Sequence, residues 1–217
     1  MKYPHPMALA VAAVTFLLMP AAVAQDGAGT WYVGFSIDNV QVDGYCDSRT
    51  ACDDETTGET IYGGYNLHEN FAVEIGSGGL GEPEDTTVYD TTNFGDFTLA
   101  QKHELKTFYG AVVGKINVNE RFSLFGKAGV HRWDVESGLT INNSTTIQDD
   151  GVDLFYGIGG QVSLSPGNEW KVVAGYQIFK LSDAYKGQVV TLDRIPIGSA
   201  GTDRDIKQLS LGLTYTF

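Results

Sequence analysis

Apolar residues recur at every second position along much of the chain. Trp31, Val33, Phe35 and Ile37 share one face; Tyr32, Gly34, Ser36 and Asp38 share the other. Phe71, Val73 and Ile75 oppose Ala72, Glu74 and Gly76 in the same way. Trp170, Val172, Ala174, Tyr176 and Ile178 oppose Lys171, Val173, Gly175 and Gln177. The final nine residues, LSLGLTYTF, set Leu209, Leu211, Leu213, Tyr215 and Phe217 against Ser210, Gly212, Thr214 and Thr216. A period of two predicts strands with one apolar face. Three pairs of such runs flank short turn-forming segments, HEN, NER and SPGNE, and so predict hairpins. With a first strand from Trp31 to about Val40 and a last from about Ile206 to Phe217, the pattern predicts eight strands.

The remaining connections are long, at about 41–57, 81–105, 134–151 and 182–205. Short and long connections therefore alternate. In an up-and-down antiparallel sheet this puts every short turn at one end and every long loop at the other. Short periplasmic turns and long outer loops mark bacterial outer-membrane barrels. The small, mostly Gly and Ser face suits the crowded interior of a narrow barrel. The aromatic residues near the short turns, Trp31, Tyr65, Phe71, Phe122, Trp170, Tyr215 and Phe217, suit the girdle at a membrane interface. A soluble, lipocalin-like barrel would need the apolar face turned inward and a charged surface outside. The expected fold is therefore all-β: an eight-stranded antiparallel up-and-down transmembrane β-barrel with short periplasmic turns and four long outer loops.

Charge adds a polarity to this picture. The chain has 27 Asp and Glu against 14 Lys and Arg. The four long connections hold 19 of the acids and 5 of the bases, so the excess negative charge belongs to one end. This balance argues against nucleic-acid binding. The acidic stretch CDDETTGE lacks the alternating ligand spacing of a calcium loop, and a solvated surface is expected there.

The chain starts with Lys2, an apolar run from Met7 to Met19, and a small-residue end, Ala22-Val23-Ala24. This reads as a secretory signal peptide over residues 1–24, cleaved between Ala24 and Gln25, with the barrel domain over 25–217. The apolar run of 13 residues is shorter than the ~20 a spanning helix needs. Export to an oxidising compartment makes a local disulfide between Cys46 and Cys52 the expected state of the two cysteines.

The hairpin GGYNLHENFAVEIGSGGLG, the run RFSLFGKAGVHRW and the closing LSLGLTYTF resemble the transmembrane domain of OmpA-like outer-membrane proteins. The resemblance extends over most of residues 31–217. It implies a barrel in the outer membrane of a Gram-negative bacterium, amid lipid and lipopolysaccharide. It also implies that the assembly machinery reads the last strand through Tyr215 and Phe217. The family's peptidoglycan-binding domain has no counterpart here, and Val173 stands where the archetype places a luminal Arg.

Glu74, Lys115, Lys127 and Lys171 fall on the inner face and form the expected luminal charge network. An isolated charge there is costly, so Glu74 is expected to pair with Lys127 or Lys115. A barrel this narrow is filled by side chains, which disfavours a general-diffusion porin. His68, His103 and His131 show no recognisable spacing to a nucleophile, so catalysis, a cofactor and a metal are not expected. The sequence points to a monomeric, non-enzymatic barrel with a structural role or a surface role toward host or cell-surface ligands. A small-conductance channel and a barrel enzyme acting on lipid A or peptides are the alternatives.

Overall fold

The computed structural model describes residues 28–43, 55–81, 84–89, 97–141, 143–184, 190–192, 195–197 and 202–217. It contains strands β1 (Thr30–Val42), β2 (Glu55–His68), β3 (Phe71–Gly79), β4 (Glu84–Tyr89), β5 (Phe97–Asn117) and β6 (Phe122–Ile141). Strands β7 (Asn143–Ser163), β8 (Trp170–Ala184), β9 (Val190–Leu192), β10 (Ile195–Ile197) and β11 (Thr202–Thr216) follow. Every pairing is antiparallel. Eight strands close into a barrel in the order β1, β2, β3, β5, β6, β7, β8, β11. The last strand returns to the first with Tyr32 opposite Thr216 and Val42 opposite Ile206. Closure leaves no open edge, the condition for a sheet to sit in lipid.

The phase of each strand follows its sequence alternation. Ile37, Ile75, Val112, Ile158 and Leu211 point outward and are exposed, as high as 69% for Ile158. Their neighbours along each strand point inward. An apolar face this large on the outside is a lipid-facing surface, since water would disfavour it. Trp31 and Tyr65 meet at 4.8 Å between ring centres, Trp170 and Tyr215 at 4.8 Å, and Tyr215 and Phe217 at 5.0 Å. These rings border the belt at the short-turn end.

The short turns are closed by side-chain caps. Asn119 Oδ1 accepts the backbone N–H groups of Arg121 at 2.9 Å and Phe122 at 2.8 Å. Ser165 Oγ accepts from Glu169 and Trp170 at 3.1 and 3.3 Å. Asn70 Nδ2 donates to the Lys115 carbonyl at 3.0 Å and ties the β2–β3 turn to β5.

At the other end the long connections carry more paired strand than the alternation in the sequence marks. Pairing of β6 with β7 continues through the segment read as a connection, from Asp134 opposite Asp150 to Ile141 opposite Asn143. Strand β4 continues the line of β3 by pairing with the far end of β5, Glu84 opposite Lys102 and Tyr89 opposite Phe97. Strands β9 and β10 form a small hairpin between β8 and β11. The cause is composition: Thr, Val and Ile remain frequent among the polar residues, and β-branched residues favour extended backbone. The polar residues signal exposure and do not interrupt the ladder.

Register explains much of the glycine content. Tyr32 lies directly opposite Gly64, Tyr62 opposite Gly34, Tyr109 opposite Gly76 and Trp133 opposite Gly151. A Cβ at any of these glycines would collide with the ring it faces. Each large luminal ring thus lies over a bare backbone position on the next strand, which is how a narrow interior accommodates it.

Candidate functional site: the lumen and the outer rim

The lumen has two halves. Toward the short turns it is polar and charged. Glu74 on β3 is buried and accepts three hydrogen bonds: Tyr32 Oη to Oε2 at 2.9 Å, Tyr109 Oη to Oε1 at 2.9 Å, and Lys127 Nζ to Oε1 at 3.0 Å. The Lys127 and Glu74 side chains are 8% and 6% exposed, so this is an ion pair shielded from solvent. Lys127 also lies 5.5 Å from the centre of the Tyr62 ring and 5.6 Å from that of Tyr109. A carboxylate with three donors, one of them a cation, meets the conditions under which a buried charge is tolerated.

Lys115 points into the lumen from β5. Its Nζ donates to Asn66 Oδ1 at 2.6 Å and lies 4.9 Å from the centre of the Tyr32 ring. The structure thus brings Glu74 to Lys127 and sets Lys115 on neutral partners. Lys171 lines the same lower cavity, together with Gln161, Thr214 and Thr216. A second cavity lies above it, lined by Ser36, Thr60, Gln177 and Ser210. Tyr62, Phe125, Lys127 and Val173 line both and form a waist between them.

Beside the upper cavity is a polar cluster. Thr60 Oγ1 donates to Asp38 Oδ2 at 2.7 Å, and Gln208 Nε2 donates to Thr60 Oγ1 at 3.2 Å. Asp38 is fully buried.

Above this the lumen turns apolar. Phe155 and Phe179 stack with centres 5.0 Å apart and planes 9° from parallel. Tyr109 tilts against Phe155 at 4.9 Å, and His131 meets Phe179 edge-on at 5.1 Å. Val40, Val42, Leu80, Leu105, Trp133, Val135, Leu181 and Ile206 continue this cluster, all buried. His131, 1% exposed, holds Thr107 Oγ1 at 3.2 Å from Nδ1 and the Lys180 carbonyl at 2.8 Å from Nε2. Trp133 Nε1 and the Ser182 backbone N–H both donate to Asp153 Oδ2, at 2.8 and 2.9 Å.

Outside, the apolar belt ends at a collar of charge. Arg132 Nη2 is 3.1 Å from Asp150 and Arg132 Nε 3.9 Å from Asp134. Lys180 pairs with Asp205 at 3.4 Å, Lys106 with Glu104 at 2.7 Å, and Lys207 with Asp43 at 2.6 Å. Such exposed pairs contribute little to stability individually. They mark the height at which lipid tails give way to headgroups.

Some residues singled out from the sequence lie elsewhere. Ala24, Gln25, Cys46 and Cys52 are outside the described residues. His68 is exposed at the β2–β3 turn. Among the described residues no group of three His, Cys, Asp or Glu side chains is placed to hold a metal ion. Sequence reasoning did not single out Tyr32, Tyr109, Asp38 and the plug around Phe155. Their inward phase was readable, but their partners lie 22 or more residues away, across strands.

A closed antiparallel barrel with an apolar outer belt, an aromatic girdle and a filled interior defines a small transmembrane β-barrel. The chain belongs to the outer membrane protein beta-barrel domain family, whose model matches residues 9–217. No curated protein matches it. Among solved structures it is similar to Neisserial surface protein A, with a TM-score of 0.55, 11% identity, and coverage of 86% of this chain and 97% of that one. It is also similar to the outer membrane protein OprG from Pseudomonas aeruginosa, with a TM-score of 0.52, 13% identity, and coverage of 88% and 97%. A third is Ail, the attachment invasion locus protein of Yersinia pestis, crystallised with the heparin analogue sucrose octasulfate: TM-score 0.50, 16% identity, coverage 89% and 100%. At these identities the likeness reaches the fold.

Proposed function

We propose that the protein is a monomeric, non-enzymatic barrel of the Gram-negative outer membrane that acts through the surface it presents outside the cell. The observation that carries this reading is the filled upper lumen. Tyr109, His131, Phe155 and Phe179 pack across the interior, and with the apolar side chains around them they fill it among the described residues. Passage of ions would require that cluster to part. The Thr107–His131 contact has the elements of a nucleophile and a base, but it is enclosed in the plug, beyond the reach of a lipid or peptide substrate. The outer end carries the paired extensions of β5, β6 and β7 past the apolar belt, and it is the face left for recognition. Adhesion to, or recognition of, host or cell-surface ligands fits such a surface, as does a role in envelope integrity beside lipopolysaccharide.

Export by a signal peptide cleaved between Ala24 and Gln25, a Cys46–Cys52 disulfide, and reading of Tyr215 and Phe217 by the assembly machinery belong to the same proposal. The test compares cells expressing the protein with cells expressing a variant whose four long connections are cut to short turns. Both should show the heat-modifiable gel shift of a folded barrel. Only the first should bind immobilised extracellular-matrix proteins, and neither should give current steps in planar bilayers. Discrete conductance steps from the intact protein, or matrix binding retained without the loops, would overturn the reading.

A further inference from the structure

The lower cavity carries more positive charge than its walls neutralise. Lys115, Lys127 and Lys171 line it, and Glu74 is the one carboxylate among its lining residues. Lys127 is committed to Glu74. Lys115 has a neutral amide and the face of a tyrosine ring as partners. Lys171 makes no hydrogen bond or ion pair with any described residue, and it lines the same small cavity as Lys115. In a low-dielectric interior like charges repel more strongly than in water, and an uncompensated charge is costly. Gln161, Thr214 and Thr216 add polar groups to the same wall, and the cavity has room for about three water molecules.

We propose that this cavity binds a small oxyanion of the phosphate or sulfate type between Lys115 and Lys171. The anion neutralises both ammonium groups and accepts charge-assisted hydrogen bonds from them. It enters and leaves from the short-turn end, because the plug closes the other. The site does not depend on what the outer surface binds.

The test uses the mature barrel refolded in phosphate-free maltoside micelles and titrated with inorganic phosphate at ionic strength fixed with sodium chloride. Backbone amide resonances of Lys115, Gln161, Lys171 and Thr216 should shift saturably, while those of Lys180 and Asp205 at the outer collar stay in place. Lys171→Gln, which removes a group without a protein partner, should weaken binding at least tenfold. Lys115→Gln should do the same, and Lys180→Gln should leave it unchanged. A second titration replaces phosphate with a short-chain phosphatidyl lipid; identical shifts there would support the site and assign its source to a headgroup. Shifts that never saturate, that chloride reproduces, or that persist undiminished in Lys171→Gln would overturn the proposal.

Discussion

The two halves of the lumen solve the same packing problem with different chemistry. The outer half is closed by stacked rings and aliphatic side chains, from Phe155 and Phe179 up to Leu80 and Ile206. The half nearer the short turns is held by polar contacts around Glu74, with only Tyr32, Ala72 and Val113 as a small apolar cluster beside them, and it retains a cavity. An apolar plug excludes water and ions without needing any partner's exact placement. A buried ion pair needs every donor in position, and loses much of its stability if one is removed. The barrel is thus sealed by packing on the side facing the environment and held by hydrogen bonds on the side facing the cell.

Point changes in the two halves should differ in kind and in size. Phe155→Ala removes a ring that touches Tyr109, His131 and Phe179, and should cost about 4 kcal/mol in equilibrium urea unfolding of the refolded barrel. Glu74→Gln leaves Lys127 buried without a counter-charge, and should cost about 3 kcal/mol in the same measurement. A loss under about 1 kcal/mol would mean that water already reaches the pair and that the halves are less distinct than described. Gly76→Ala places a methyl group against the Tyr109 ring, and should cost about 2 kcal/mol through overpacking, with the fold retained. Lys180→Gln at the exposed collar should change stability by less than about 0.5 kcal/mol, and that small effect should shrink further in high salt.

The contrast between the halves was only partly legible in the sequence. Alternation along β1, β3, β8 and β11 fixed which side chains face lipid, because a period of two allows only two phases and the apolar series is unambiguous. The same alternation put Glu74, Lys127 and Lys171 inside. It could not show that Tyr109 stands opposite Gly76, or that Phe155 stacks on Phe179, because those relations depend on register between strands. A face rich in glycine suited a crowded interior, but the sequence alone did not show what crowds it. In the folded barrel, rings from the next strand occupy that space. The segments 81–105 and 134–151 read as loops because they are polar, yet their backbones stay paired well past the apolar belt. Polarity reports the solvent a strand meets, and says less about where its hydrogen bonds end.

The central claim is that the lumen is sealed outside and accessible from the short-turn end. In a Cys46→Ser, Cys52→Ser background, single cysteines are introduced as Gln161→Cys in the lower cavity and Val135→Cys in the plug. The barrel, inserted in one orientation into vesicles, is then exposed to a small membrane-impermeant thiol reagent from either side. The account predicts that the Gln161→Cys variant is labelled only from the short-turn side and the Val135→Cys variant from neither side while folded. Labelling of the Gln161→Cys variant from the loop side, at a rate comparable to the short-turn side, would contradict it.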